Sequence, residues 1–275
     1  MPLAPWVLLH VLGACAGAPQ EAAREEAPPE VTSFRYVPGR IEVGRVHRYR
    51  KSNLDGTHAS EIALYLAAED RLESLKWHPD DPEATLVVAE MDWPVCSVKR
   101  FRTYRLDADG ARTLAAELET RERRGLEVRI DGRTLTSPLE RFPWHSYDFD
   151  FASLNVALRF LAEPEGETAF VIVDPVQGPD GPAFTAKGEV FLSYEEEDEH
   201  AGLACRRYTI DGPGLEERGG RLWVARGEET FLAGLEIDLP DEPGMKSGKL
   251  LWLENARLTP EEWERFVVER ALPEK

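Results

Sequence analysis

Ile41 to Lys51 reads IEVGRVHRYRK, the dipeptide Asp55-Gly56 follows, and Ile62-Ala63-Leu64-Tyr65-Leu66 comes next. In the first run Ile41, Val43, His47 and Tyr49 alternate with polar partners, which is the period of a strand whose two faces meet different surroundings. Asp-Gly supplies the positive φ that a tight antiparallel turn needs. Together the three pieces predict a β-hairpin. The same pattern recurs outward from it. Val98 to Leu106, Asp107-Ala108-Asp109-Gly110 and Thr113 to Leu118 predict a second hairpin. Leu126 to Ile130, Asp131-Gly132 and Thr134 to Thr136 predict a short third.

Farther along, Ala169 to Val173, Phe184 to Tyr194, Ala204 to Ile210, Leu222 to Ala225, Thr230 to Leu239 and Gly248 to Ala256 are strand candidates. No fixed-period repeat is visible, which excludes a solenoid or propeller. No long helices alternate with the strands, which excludes a doubly wound parallel sheet.

Two helices interrupt the pattern. Phe151 to Ala162 places Phe151, Leu154, Leu158 and Leu161 on one face, with Asn155 and Arg159 away from it. Asp150 is placed to cap it, and Pro164 with Gly166 to end it. At the C-terminus Thr259, Pro260 and Glu262 form a capping-box signature, followed by the apolar stripe Trp263, Phe266 and Val267. The expected fold is mainly β: a curved antiparallel sheet or partial barrel with one internal helix and a C-terminal capping helix. Residues 33–275 form a single β-rich domain, for which the 42% hydrophobic content is sufficient.

The net charge of -18 arises from 51 acidic and 33 basic side chains. Such a chain repels phosphate backbones, and no basic stripe relieves that, so no nucleic-acid partner is expected. No run reaches the roughly 18 apolar residues that cross a bilayer as a helix. The longest, Leu3 to Leu12, fits the apolar core of a secretory signal, although no Lys or Arg precedes it. Residues 1–14 are therefore expected to be a signal peptide.

Leu12-Gly13-Ala14-Cys15 resembles the bacterial lipobox, whose cysteine receives a diacylglyceryl group before cleavage. That resemblance implies lipidation of Cys15. Residues 15–32 then form the acylated cysteine and a tether, since AGAPQEAAREEAPPE (16–30) lacks apolar area to offset its ordering entropy. The expected location is the bacterial cell envelope, with the domain outside the cytoplasm and the membrane engaged through lipid. With Cys15 acylated, Cys96 and Cys205 remain, either as a disulfide in an oxidising compartment or as two buried thiols.

Familiar catalytic signatures are absent: no Gly-x-Ser-x-Gly elbow, no His-Glu-x-x-His and no Gly-x-Gly-x-x-Gly. No Cys-x-x-Cys occurs and the six histidines are scattered, so no metal site or cofactor is implied. The acidic run Glu195 to Glu199, followed by His200, lacks a calcium-loop pattern and reads as a solvated hairpin tip. The densest segment is Phe142-Pro-Trp-His-Ser-Tyr-Asp-Phe-Asp-Phe151. His145, Asp148 and Asp150 within it have the residue types to hold a metal or to share proton transfer, and the latter would make the chain a hydrolase. Equally, Asp150 is a helix cap, Asp148 a receiver of turn amides and His145 a core polar group. Trp144, Tyr147, Phe149 and Phe151 form an aromatic strip that either lines an apolar pocket or belongs to plain core.

Tyr147-Asp-Phe-Asp-Phe, the Leu-rich helix and the strands leading to Gly219-Gly220-Arg221-Leu222-Trp223-Val224 resemble a group of exported bacterial proteins of unknown function. These in turn resemble periplasmic lipoprotein carriers, whose curved antiparallel sheets hold an acyl chain on the concave side. The resemblance implies sheet curvature and an envelope location, and transfers no catalytic residue. The leading expectation is a non-enzymatic envelope lipoprotein that binds an apolar ligand or lipid in the curved sheet. The alternatives are a scaffold for another envelope protein and the hydrolase built on His145, Asp148 and Asp150.

Overall fold

Each predicted hairpin forms. Strands β1 (Arg45–Ser52) and β2 (Ser60–Ala68) pair antiparallel, with Tyr49 opposite Ile62. Strands β5 (Ser97–Leu106) and β6 (Arg112–Arg121) form the second hairpin, and β7 (Gly125–Ile130) with β8 (Arg133–Pro138) the third. Asp131 and Gly132 both take positive φ, 50° and 72°, as a two-residue turn between twisted strands requires. The computed structural model describes residues 33–272 apart from 122–124, 140, 179–180, 228, 241 and 271. The expected signal peptide, Cys15 and the tether lie outside the described residues.

Three strands escaped the sequence reading: the two-residue β9 (Trp144–His145) and, side by side in the sheet, β3 (Arg71–Trp77) and β4 (Ala84–Asp92). Both faces of this region are covered, so apolar residues occupy inward and outward positions alike and no clean alternation shows. After β8 the chain crosses to β9 (Trp144–His145) and then enters helix α1 (Ala152–Ala157). It continues through β10 (Glu167–Gly178), β11 (Gly181–His200), β12 (Leu203–Asp211), β13 (Gly220–Ala225), β14 (Leu232–Ile237) and β15 (Gly248–Arg257) to helix α2 (Pro260–Glu269).

All fifteen strands among the described residues join one sheet, in the order β8-β7-β6-β5-β4-β3-β2-β1-β15-β14-β13-β12-β11-β10-β9. Neighbours are antiparallel except β9 with β10, which are parallel. Two meanders therefore meet where β1 pairs with β15. Register shifts at Arg48/Tyr49, Glu90/Met91, Thr103/Tyr104 and Ile172/Val173 bend the strands. The sheet curls until its ends approach. The Trp144 backbone N–H donates to Ser97 Oγ at 3.0 Å and the Trp144 indole to Thr120 Oγ1 at 3.0 Å, tying β9 to β5 and β6. Arg133 of β8 donates to the Pro182 carbonyl of β11 at 2.8 Å. The fold is thus a partial barrel.

The concave side is packed. Tyr49, Leu64, Leu72, Phe101, Leu118 and Leu192 face inward and meet Leu154, Leu158 and Phe160 from the α1 region. The convex side of β1 to β5 carries Val46, Tyr65, Leu75, Trp77 and Leu86, covered by Trp263, Phe266 and Val267 of α2. The predicted capping box forms, Thr259 Oγ1 accepting from the Glu262 N–H and Glu262 from the Thr259 N–H.

Four local expectations are corrected. The inner helix is shorter than 151–162, giving way to a 3-10 turn at Leu158–Phe160. It is enclosed on all sides, so Asn155 is buried rather than turned away, and Asp150 does not cap it. The acidic run is not a hairpin tip. Glu195 to His200 continue β11, opposite Arg206 and Arg207 of β12, and the turn lies at Ala201-Gly202.

Candidate functional site

At one end of the concave side the inward positions turn polar. Lys51 follows His47 and Tyr49 in the inward phase of β1, and Lys76 follows Leu72 and Ser74 in that of β3. A cleft of about 410 Å³ opens here, between β3, β4 and the turn that enters α1. Ser74, Lys76, Thr85 and Val87 form its floor, Asp148, Phe149 and Asp150 one wall, and Pro175 and Glu242 another.

Asp174 on β10 builds the turn. One of its oxygens accepts from Ser146 Oγ at 2.6 Å, the Tyr147 N–H at 2.9 Å and the Asp148 N–H at 3.2 Å. Amide capture on the turn is therefore the work of Asp174, not of Asp148. Tyr147 anchors the same turn by donating its hydroxyl to the Leu239 carbonyl at 2.6 Å. Asp150 and Phe151 both sit in the left-handed region, at φ 56° and 53°. Non-glycine residues hold that conformation only where surrounding contacts impose it.

Asp150 meets two lysines. Its carboxylate lies 2.8 Å from Lys51 Nζ and 3.3 Å from Lys76 Nζ. Glu242 bridges the same pair, at 3.2 and 3.1 Å, and its second oxygen lies 3.5 Å from His78 Nε2 at the rim. Charges removed from water persist only when paired. The two lysines hold the Glu242 carboxyl down to about 2 against the opposing effect of burial. Asp148 behaves differently. Burial first, and then the nearby Asp174 charge, push it up to about 7, with Lys76 and Lys51 opposing. Asp174 is pushed up to about 6 by burial, against its three hydrogen bonds. The cleft thus holds a carboxyl poised near neutrality beside an aromatic wall.

The sequence-predicted residues divide. Asp148, Phe149 and Asp150 reach the cleft. His145 does not join them. It shares a hydrogen bond with Ser153 Oγ at 2.9 Å, between the rings of Phe34 and Phe170, and burial pushes it down to about 3. His145 thus stands apart from the cleft that Asp148 and Asp150 line, and the trio of the hydrolase alternative does not assemble there. Trp144, Tyr147 and Phe151 are core, whereas Phe149 is half-buried against Phe101 and Phe184. Cys96 and Cys205 are free thiols. Cys96 lies in the interior core and Cys205 in a separate cluster with Trp223 and Phe231, so the fold does not bridge them. Among the described residues no His, Cys, Asp and Glu group is arranged to hold a metal ion. Nor is any described helix long and apolar enough to cross a membrane.

Lys51, Lys76, Asp174 and Glu242 went unnoticed in the sequence. The one available signal was a lysine continuing the inward phase of a strand, at Lys51 after Tyr49 and at Lys76 after Ser74.

No family model matches the sequence, and no curated protein does. Among solved structures, the chain is similar to a beta-barrel-like protein of a domain of unknown function, DUF1849, from Brucella abortus. The match covers 78% of this chain and 98% of that one, at 10% identity and a TM-score of 0.43.

Proposed function

We propose that this chain is a non-enzymatic binding protein of the bacterial envelope, held by lipid on Cys15, that takes a small amphiphilic ligand in the cleft. The observation that carries the reading is the cleft itself. It is an opening of about 410 Å³ on the concave side, with Phe149, Val87 and Pro175 in its apolar lining and Asp148 among its polar groups. Sites of this size bind by apolar enclosure plus a few placed polar groups. Because the deeper concave space is filled by α1 and its neighbours, the apolar part of the ligand lies along the mouth. The trio His145, Asp148 and Asp150 is not assembled, which supports binding over hydrolysis.

Native mass spectrometry of the chain gently extracted from its own cells tests the proposal. A co-purifying small molecule is expected on the wild type and is lost from Val87→Trp, which fills the cleft floor. A ligand-free wild type, or a ligand retained by a folded Val87→Trp chain, overturns it.

A further inference from the structure

Lys51 Nζ lies 2.8 Å from Asp150 Oδ1, and the two side chains are only 5% and 4% exposed. Glu242 Oε1 stands 3.2 Å from the same nitrogen, and Lys76 Nζ stands 3.3 Å from the other Asp150 oxygen. A void of about 10 Å³ borders Lys51, Tyr147, Asp150 and Gly248, close to the space one water needs. An amine and a carboxyl held in contact, out of solvent, with a second carboxylate beside the amine to act as a base, meet the requirements for amide formation. We infer that Lys51 and Asp150 are the reacting pair of an intramolecular isopeptide bond, with Glu242 as the base that takes a proton from Nζ once the N–C bond has formed. The bond forms whether or not the cleft holds a ligand.

The step balances without any oxidant, reductant or co-reactant. The Lys51 ammonium passes one proton directly to the Asp150 oxygen 2.8 Å away, so that a neutral amine faces a neutral carboxyl. Nζ attacks Cγ, the N–C bond forms, and the carbonyl electron pair moves onto oxygen beside the Lys76 ammonium. Nζ then gives a second proton through Glu242 to the departing hydroxyl, the C–O bond breaks, and one water leaves. Ammonium and carboxylate become an amide and water.

The surroundings suit each part. Burial lowers the Lys51 pKa, favouring the nucleophilic amine over the ammonium. Burial disfavours charge on Lys76 too, but Asp150 and Glu242 overcome it and hold that lysine protonated, as oxyanion stabilisation requires. The left-handed backbone at Asp150 and Phe151 fixes the carboxyl against the amine. The product ties β1 covalently to the turn entering α1.

Intact-mass spectrometry of the full chain under denaturing conditions, with its N-terminus mapped, tests the inference. The wild type is expected to be lighter than its sequence by one water. Its digest should contain a branched peptide joining Lys51 to Asp150. Lys51→Ala and Asp150→Ala should show full mass, and Glu242→Gln should fold by circular dichroism yet remain largely uncrosslinked. A wild type of full mass shows an ion pair only and overturns the inference, as does a water loss mapped to other residues. A Glu242→Gln chain that crosslinks as fully as the wild type overturns the part given to Glu242.

Discussion

Asn155 donates its side-chain amide to the Tyr49 hydroxyl at 2.8 Å, inside the curl of the sheet. Its carbonyl oxygen accepts from the Leu232 N–H at 2.9 Å. One residue of the inner helix thereby ties β1 to the start of β14, so the helix sets the spacing of the two meanders where they join. Replacing it with Leu leaves two buried partners unsatisfied, each costing roughly 1–3 kcal/mol. Asn155→Leu is expected to lower stability by about 2–4 kcal/mol in urea denaturation, with little change in the denaturant slope.

The cleft imposes a pH dependence. Asp148 is held near 7 and Asp174 near 6, above the ordinary 3.8, so across that interval the folded chain keeps protons that the unfolded chain has released. The stability this contributes is complete below about pH 4 and is lost as pH rises through 6 and 7. Glu242 works in the opposite sense. Held near 2 against an ordinary 4.5, it contributes above that value and fades as pH falls toward 2. Asp148→Asn is therefore expected to melt higher than wild type at about pH 8, with the margin closing near pH 4. Calorimetry across that interval checks this, and superimposable profiles would contradict it.

On the convex face Trp263 is the largest side chain that α2 buries. Trp263 stacks on Tyr65 and on Phe266 and donates its indole N–H to the buried Glu73 carboxylate at 2.7 Å. Trp263→Ala is expected to cost about 3–5 kcal/mol through the cavity alone. Thr259→Ala, which removes only the cap, should cost about 1 kcal/mol. Equal losses in thermal melts would mean that α2 is not held by its apolar stripe.

Both thiols should titrate as free. Burial pushes the Cys96 thiol up to about 12 and raises Cys205 as well, so neither is reactive in the folded chain. Alkylation is expected to be negligible natively and complete at both positions in denaturant without reductant. A requirement for reductant would indicate a bridge.

Strand identity was legible where the two faces alternate, as around Tyr49, or where a tight-turn dipeptide announces the return strand, as Asp55-Gly56 does before Ile62. It failed at Leu72, Leu75 and Leu86, where both faces are buried, which removes the contrast, and no Asp-Gly turn flags the strand. The inner helix was legible as apolar, but its Asn155 read as solvent-facing since nothing local shows that a helix is enclosed on every side. The cleft was half legible. Asp148, Phe149 and Asp150 are adjacent in sequence, whereas Lys51, Lys76, Asp174 and Glu242 arrive from four distant elements and meet only when the sheet curls. Gly219-Gly220, part of the resemblance to exported proteins, has a spatial cause: a Cβ at Gly220 would collide with the Glu236 carbonyl.

Photo-crosslinking in intact cells tests the binding claim most directly. Benzoylphenylalanine at position 149 should capture a small-molecule adduct seen by mass spectrometry, while the same probe at the exposed position 114 should capture none. Adducts of equal yield at both positions, or none at 149 in a folded chain, would contradict a ligand seated in the cleft.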